Sequence, residues 1–157
     1  MSKFRKNKKS SQAPISTASL PDIVFMLLFF FMVTTVMRET DMLVDNVLPQ
    51  ASEVKKLERK SLVSYIYIGS PKGQNRKSKY GNDAKIQLND SYARVNDIQE
   101  FVIAERESRS EEEVPLLTTS IKADVDVKMG IVSDIKQELR KSQAYKINYS
   151  TRKKEDK

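Results

Sequence analysis

The 157-residue chain contains no cysteine and no histidine. These absences exclude disulfide bonds, thiol catalysis and metal sites built from Cys and His, and they leave the redox compartment undecided. The sequence also offers no nucleophile paired with a base and no phosphate-binding loop. We therefore expect a protein that is not an enzyme and that holds no cofactor or metal.

Positive charge is concentrated at the start of the chain. The formal net charge is +7, which by itself is compatible with nucleic-acid binding. Residues 1–14, however, form a basic tail without any acidic residue, and the rest of the chain mixes both signs. A basic tail just before an apolar run holds the N-terminus in the cytoplasm. We expect a membrane protein and no nucleic-acid partner.

The apolar run extends from Ile15 to Met37 and carries a single charge, Asp22. As a helix of about 1.5 Å per residue it reaches roughly 34 Å, enough for a hydrocarbon core of about 30 Å. A cleaved signal peptide is the alternative, but no A-x-A cleavage pattern follows the run. The sequence therefore predicts one transmembrane helix over 15–37, with the remainder in the periplasm.

The polar remainder is predicted to hold one small domain. Residues 38–60 read as a linker, 61–150 as the domain and 151–157 as a charged tail. Strands are predicted at 61–68, 84–88, 116–123 and 145–149, and amphipathic helices follow Asn96 and Gly130. A turn at 89–90 follows the second strand, and its continuation through Val95 is left open. The region 69–82 reads as a polar loop. The order β-β-α-β-α-β indicates a two-layer α+β domain, so the fold class is a single-pass transmembrane helix plus this domain.

Three segments together resemble the ExbD/TolR family, the small subunit of proton-driven motors in bacterial envelopes. Ile15–Thr35 is similar to the membrane signature, in which an Asp lies on the cytoplasmic side of a Met/Leu/Phe-rich span. Val47–Ser52, which contains Leu48 and Pro49, resembles the segment that follows the span. Ser120–Gly130 resembles the strand, Ala-Asp turn and helix start of the family. Pro21 departs from the pattern, because the family usually has proline at the position of Ser19.

The resemblance implies a function and a set of partners. Asp22 is expected to carry protons within a pore made by an ExbB/TolQ-like subunit, and the chain is expected to form a homodimer in the bacterial inner membrane. The motor is expected to act on a TonB-like periplasmic energy transducer for outer-membrane transport. In the TolR-like alternative it acts on the Tol-Pal system. Peptidoglycan is a further candidate partner. A flagellar-type stator is disfavoured because the chain is too short for the large domain that those proteins carry.

The residues alone leave the role of Asp22 open. An ionised carboxylate within a membrane costs at least about 2.5–3.5 kcal/mol, so a residue that alternates between neutral and charged forms suits a proton path. Because Asp22 follows Pro21, it also suits the first turn of a helix without any role in proton transfer. In that alternative the chain is a membrane-tethered periplasmic binding or adaptor module. Five residues share one side of the predicted helix: Ser19, Asp22, Met26, Phe29 and Val33. This side either lines the pore subunit or faces lipid, and the sequence favours neither.

Overall fold

The computed structural model describes Thr17, residues 19–34 and residues 40–154. The chain divides into two units, residues 1–39 and residues 40–157. The predicted basic tail, the ends of the predicted span and the last three residues lie outside the described part. Among the described residues, no helix combines the length and the apolar character needed to cross a membrane.

The first unit contains one described helix, α1 (Ser19–Thr34). The second unit alternates strands and helices. In chain order its elements are β1 (Gln50–Ala51), a 3-10 turn (Lys60–Leu62), β2 (Val63–Gly69), α2 (Gln74–Tyr80), β3 (Lys85–Leu88), β4 (Ser91–Ala93), α3 (Asp97–Glu107), a second 3-10 turn (Val114–Leu116), β5 (Thr118–Ala123), α4 (Met129–Lys141), β6 (Ile147–Tyr149) and β7 (Arg152–Lys153).

Five strands form a mixed sheet in the order β4-β3-β2-β5-β6. The pairs β4–β3 and β3–β2 are antiparallel, whereas β2–β5 and β5–β6 are parallel. A two-residue turn joins β3 to β4, and a longer connection that contains α2 joins β2 to β3. Each parallel pair needs a crossover, and α3 and α4 lie in those connections. A separate two-stranded sheet pairs β1 in parallel with β7.

The hydrophobic core lies between the sheet and the helices α3 and α4. Alternate residues of β2, Ile66 and Ile68, are fully buried, and Ile121 of β5 lies beside Ile66 in the sheet. In α4, Ile135 and Leu139 recur at helical spacing and are also fully buried. The other members of this core are Ile86, Leu88, Ile98, Phe101, Val102 and Val132. The arrangement is a two-layer α+β domain.

The predicted fold class is confirmed for this domain, and the predicted transmembrane helix stays a prediction. The prediction of a polar loop over 69–82 is wrong, because seven of these residues form α2. The strand β4 lies within the continuation through Val95 that the sequence left open, and the two strands of the β1–β7 pair are additional. Asn96 precedes α3 as predicted, but its side chain makes no capping hydrogen bond. Instead, the backbone N–H of Arg94 donates to Asp97 Oδ2 at 2.8 Å.

One buried carboxylate joins the two helices of the core layer. Glu138 of α4 is 7% exposed, and it accepts hydrogen bonds from Lys141 Nζ at 2.6 Å and from Gln99 of α3. These two hydrogen bonds, that of Lys141 first, hold the pKa of Glu138 below its usual value of 4.5. The charged form of Glu138 therefore stabilises the packing of α4 on α3.

This contact predicts an acid-dependent loss of stability. A carboxylate whose folded pKa is depressed contributes stability above its unfolded pKa, and the contribution is lost as the pH falls through the folded pKa. Below about pH 4.5, wild-type stability should therefore fall more steeply than that of Glu138→Gln. Urea unfolding at several pH values, followed by tyrosine fluorescence, measures the difference, since all six Tyr lie in residues 65–149. Parallel pH profiles for the two proteins contradict the prediction.

Candidate functional site

Helix α1 is apolar on all sides except for one carboxylate. Its sixteen residues contain a single charged side chain, Asp22, which lies in the first turn next to Pro21. Proline suits the first turn because the N–H it lacks has no partner inside the helix there, and an acidic side chain is favoured at the positive end of the helix dipole. The local sequence therefore explains both the start of the helix and the position of Asp22.

The predicted candidate positions share one side of this helix. At 100° per residue, Ser19, Asp22, Met26, Phe29 and Val33 fall within one narrow sector. Their burial does not distinguish them from the rest of the helix. Met26 is 65% exposed and Val33 58%, while the large apolar residues of α1 as a whole range from 47% to 78%. The structure brings the five residues onto one side, and their role stays a prediction.

The last residue of α1, Thr34, bonds to the backbone of its own helix. The hydroxyl of Thr34 donates to the backbone carbonyl of Phe30 at 2.7 Å, the hydrogen bond expected of a threonine that has no other partner in a helix. Thr35 and Arg38 lie outside the described residues. Asp22 is the one charged residue of α1. None of the described residues forms an ion pair with it.

In the second unit, residues 40–51 run in an extended conformation over the sheet face opposite the helices; we call them the docked segment. The side chain of Gln87 in β3 binds the backbone of this segment. It is fully buried, its Oε1 accepts from the Leu43 N–H at 2.8 Å, and its Nε2 donates to the Asp41 carbonyl at 2.6 Å. A side-chain amide that bonds a backbone N–H and C=O in this way takes the place of a neighbouring strand.

Close backbone approach fixes the middle of the docked segment. The Asp45 N–H donates to the Ser70 carbonyl and the Lys72 N–H donates to the Leu43 carbonyl, both at 2.8 Å. Between these bonds Val44 is 1% exposed. The segment lies so close to β2 that a Cβ added to Gly69 would be 1.9 Å from the Asp45 carbonyl oxygen. Only glycine fits this position.

The motif residues Leu48 and Pro49 lie where the docked segment runs beside the C-terminal strand β7. The Val47 N–H before them is bound by Asp124 Oδ1 at 2.7 Å, and the Pro49 carbonyl accepts from the Arg152 N–H at 2.8 Å. The acidic side chain of the turn after β5 thus holds the segment. Among the described residues, no group of three or more acidic, His or Cys side chains could hold a metal ion.

Helix α2 fastens the segment from the outside. Lys77 forms an ion pair with Asp45 at 3.3 Å, and the rings of Tyr80 and Tyr92 lie 5.0 Å apart. The Tyr92 hydroxyl donates to the Leu43 carbonyl at 2.9 Å, and burial raises the pKa of Tyr92. Sequence reasoning missed this whole set of contacts. The one local signal in the sequence is Gln87, a polar residue between the apolar Ile86 and Leu88 of β3, and its pattern does not indicate what it binds.

Comparison with known proteins identifies one family. The family model described as "Biopolymer transport protein ExbD/TolR" matches residues 8–154, nearly the whole chain. The comparisons with individual curated proteins and with solved structures gave no match.

The close approach at Gly69 generates a testable prediction. Gly69→Ala should displace the docked segment, because a new methyl group meets a backbone carbonyl; overpacking of this kind costs about 1–3 kcal/mol. Hydrogen exchange of the Asp45 and Lys72 amides should accelerate by roughly tenfold or more, since local opening controls their protection. The exchange of core amides in β2 and α4 should change less.

Gly130→Ala is the matched control for this substitution. Gly130 lies in α4, and a Cβ added there meets nothing within 4 Å. Alanine is also the better helix former, so Gly130→Ala should not reduce stability. If the Asp45 amide exchanges at the same rate in Gly69→Ala as in Gly130→Ala, the segment is not held as described.

Proposed function

Because the chain belongs to the ExbD/TolR family of biopolymer transport proteins, we propose that it is the small subunit of a proton-driven motor in a bacterial inner membrane. Family membership implies an ExbB/TolQ-type partner subunit. The proposal adds that a homodimer of this chain sits within that partner, that Asp22 carries the protons, and that the load is a TonB-like protein serving outer-membrane transport. The protein then transmits force and catalyses no reaction of its own.

The observation that carries the proposal is a lone carboxylate on a helix that is apolar all round. Every large apolar side chain described in α1 is about half exposed or more, and none of the described α1 residues is buried. A helix of this kind is typical of a membrane or of the interior of a larger assembly. The partner subunit and lipid supply such surroundings for the predicted span, residues 15–37, of which α1 is the described part.

The chemistry of Asp22 follows from those surroundings. A charged carboxylate is costly away from water, whereas the protonated form is tolerated much better. The side chain therefore holds a proton while it faces apolar surroundings and releases it where water or a cation is available. Ser19, Met26, Phe29 and Val33 share its side of the helix and form the surface proposed to meet the pore subunit.

The docked segment suits the proposed transmission of force. Residues 40–51 directly follow the first unit in the chain. They are held by backbone and side-chain hydrogen bonds to Ser70 and Lys72 after β2, to β3, to the turn after β5 and to β7. A pull on residue 40 therefore acts on hydrogen bonds spread across the domain. Because these bonds share the load, the domain can be displaced as one body, and a TonB-like partner bound to it moves with it.

The proposal predicts the result of Asp22→Asn in the native cell. Asparagine has nearly the same size but cannot exchange a proton, so uptake driven by the proton motive force should fall to the level of a deletion strain. The variant should still reach the membrane and co-purify with the pore subunit, which separates loss of proton transfer from loss of assembly. Uptake, membrane level and co-purification are measured in the same cells.

Val24→Asn is the control for a polar amide in the same helix. Val24 is 47% exposed and points away from the Asp22 side. This variant keeps the carboxylate, so uptake should persist to the extent that the complex assembles. If Asp22→Asn supports wild-type uptake, the proposed proton path is wrong, and the chain acts as a membrane-tethered periplasmic adaptor.

A further inference from the structure

A second site lies on the sheet face opposite the helices, beside the docked segment. A cavity of about 300 Å³ has residues of β5 and β6 and Tyr65 at its base, and one wall is formed by Leu48, Val54, Lys55, Leu57 and Lys60. We call it the Lys122 groove after the residue at its base. All the residues that line it belong to the second unit, and none is required for the proton path proposed above.

The charge of the groove has one sign. Three lysines line it, Lys55, Lys60 and Lys122, and none of the described residues that line it carries a carboxylate. No described carboxylate forms an ion pair with Lys122. Cations that converge on a cavity without a counter-ion are unfavourable for the empty domain and favourable for an anion that enters it.

Lys122 is held in place by aromatic rings rather than by an acid. Its Nζ lies 4.3 Å from the ring centroid of Tyr65 and 5.2 Å from that of Tyr67, within the range of a cation–π interaction. Burial, together with the positive charge of Lys60, lowers the pKa of Lys122. The charge of an anion bound between the two lysines would offset both effects.

The remaining walls select the kind of anion. The side chains of Leu48, Val54 and Leu57 form an apolar wall, while Asn148 and Thr151 add polar groups at the other side. A bare inorganic anion leaves the apolar wall uncovered. We propose that the Lys122 groove binds a small organic carboxylate, with the carboxylate between Lys60 and Lys122 and a short apolar body against Leu48 and Val54.

The test uses the full-length protein in detergent and N-acetylalanine as the probe. Lysines are labelled with an amine-acylating reagent, and the rate at each lysine is read by mass spectrometry. A bound carboxylate covers Lys122 and keeps it protonated, so its labelling should slow about tenfold once the probe reaches ten times its dissociation constant. Lys79 serves as the internal reference, because it lies over the Tyr80 ring at 5.3 Å and does not line the groove.

Two matched ligands define the specificity. N-acetylalaninamide has the same body without the charge and should not protect Lys122. Inorganic phosphate at equal ionic strength should protect it less than N-acetylalanine does. The proposal is overturned if the amide or phosphate protects Lys122 as well as the carboxylate does, or if N-acetylalanine gives no protection at 100-fold the protein concentration and above, up to the solubility of the probe.

A pair of variants tests the geometry. Lys60→Met removes the second cation from an exposed position and should raise the apparent dissociation constant at Lys122 about tenfold, each variant being normalised to its own rate without ligand. Lys128→Met removes an exposed lysine outside the groove, keeps the Lys79 reference and should leave that constant unchanged. Equal dissociation constants for the two variants contradict the proposed site. Because neither side chain is part of the core, both proteins should fold.

Discussion

The second unit depends on one polar contact beneath an extended chain. The side-chain amide of Gln87 is fully buried, yet its donors and its acceptor are satisfied by Leu43, Asp41 and Asn89. An amide left buried without these partners would cost about 1–3 kcal/mol, so the docked segment is favoured in the one register that satisfies Gln87. The segment, the glycine at position 69 that admits it and the helix α2 that braces it all follow from this requirement.

The sequence predicted the parts of the fold whose pattern is local. The β-branched and aromatic residues of β2 predict a strand, and the spacing of Ile131, Ile135 and Leu139 in α4 predicts an amphipathic helix. The structure confirms both elements. The short helix α2 escaped prediction because its sequence, Gln-Asn-Arg-Lys-Ser-Lys-Tyr, has no apolar side. Its contacts with Asp45 and Tyr92 are distant in sequence, and no local pattern encodes them.

The two candidate sites, Asp22 and the Lys122 groove, also differ in how far the sequence predicts them. Asp22 was apparent from sequence because a charge within an apolar run conflicts with its surroundings, and such conflicts often mark function. The Lys122 groove was not apparent. Lys122 stands in an ordinary strand, and its isolation from carboxylates emerges only when residues 48–60 fold over the sheet. Whether a lysine has a carboxylate partner is decided by tertiary structure, and the residues next to Lys122 in the chain do not indicate it.

The parallel pairing of β1 with β7 has a mechanical consequence. The chain enters β1 from the side of the docked segment and leaves β7 toward its C-terminus, so the two outer ends lie at opposite ends of the pair. Tension between those ends loads the pair in shear. The bonds from Arg152 to Pro49 and from Lys154 to Ala51 must then stretch together instead of breaking one after another. A two-residue ladder in this orientation resists pulling far better than its length alone would indicate, and it yields readily when peeled from the side.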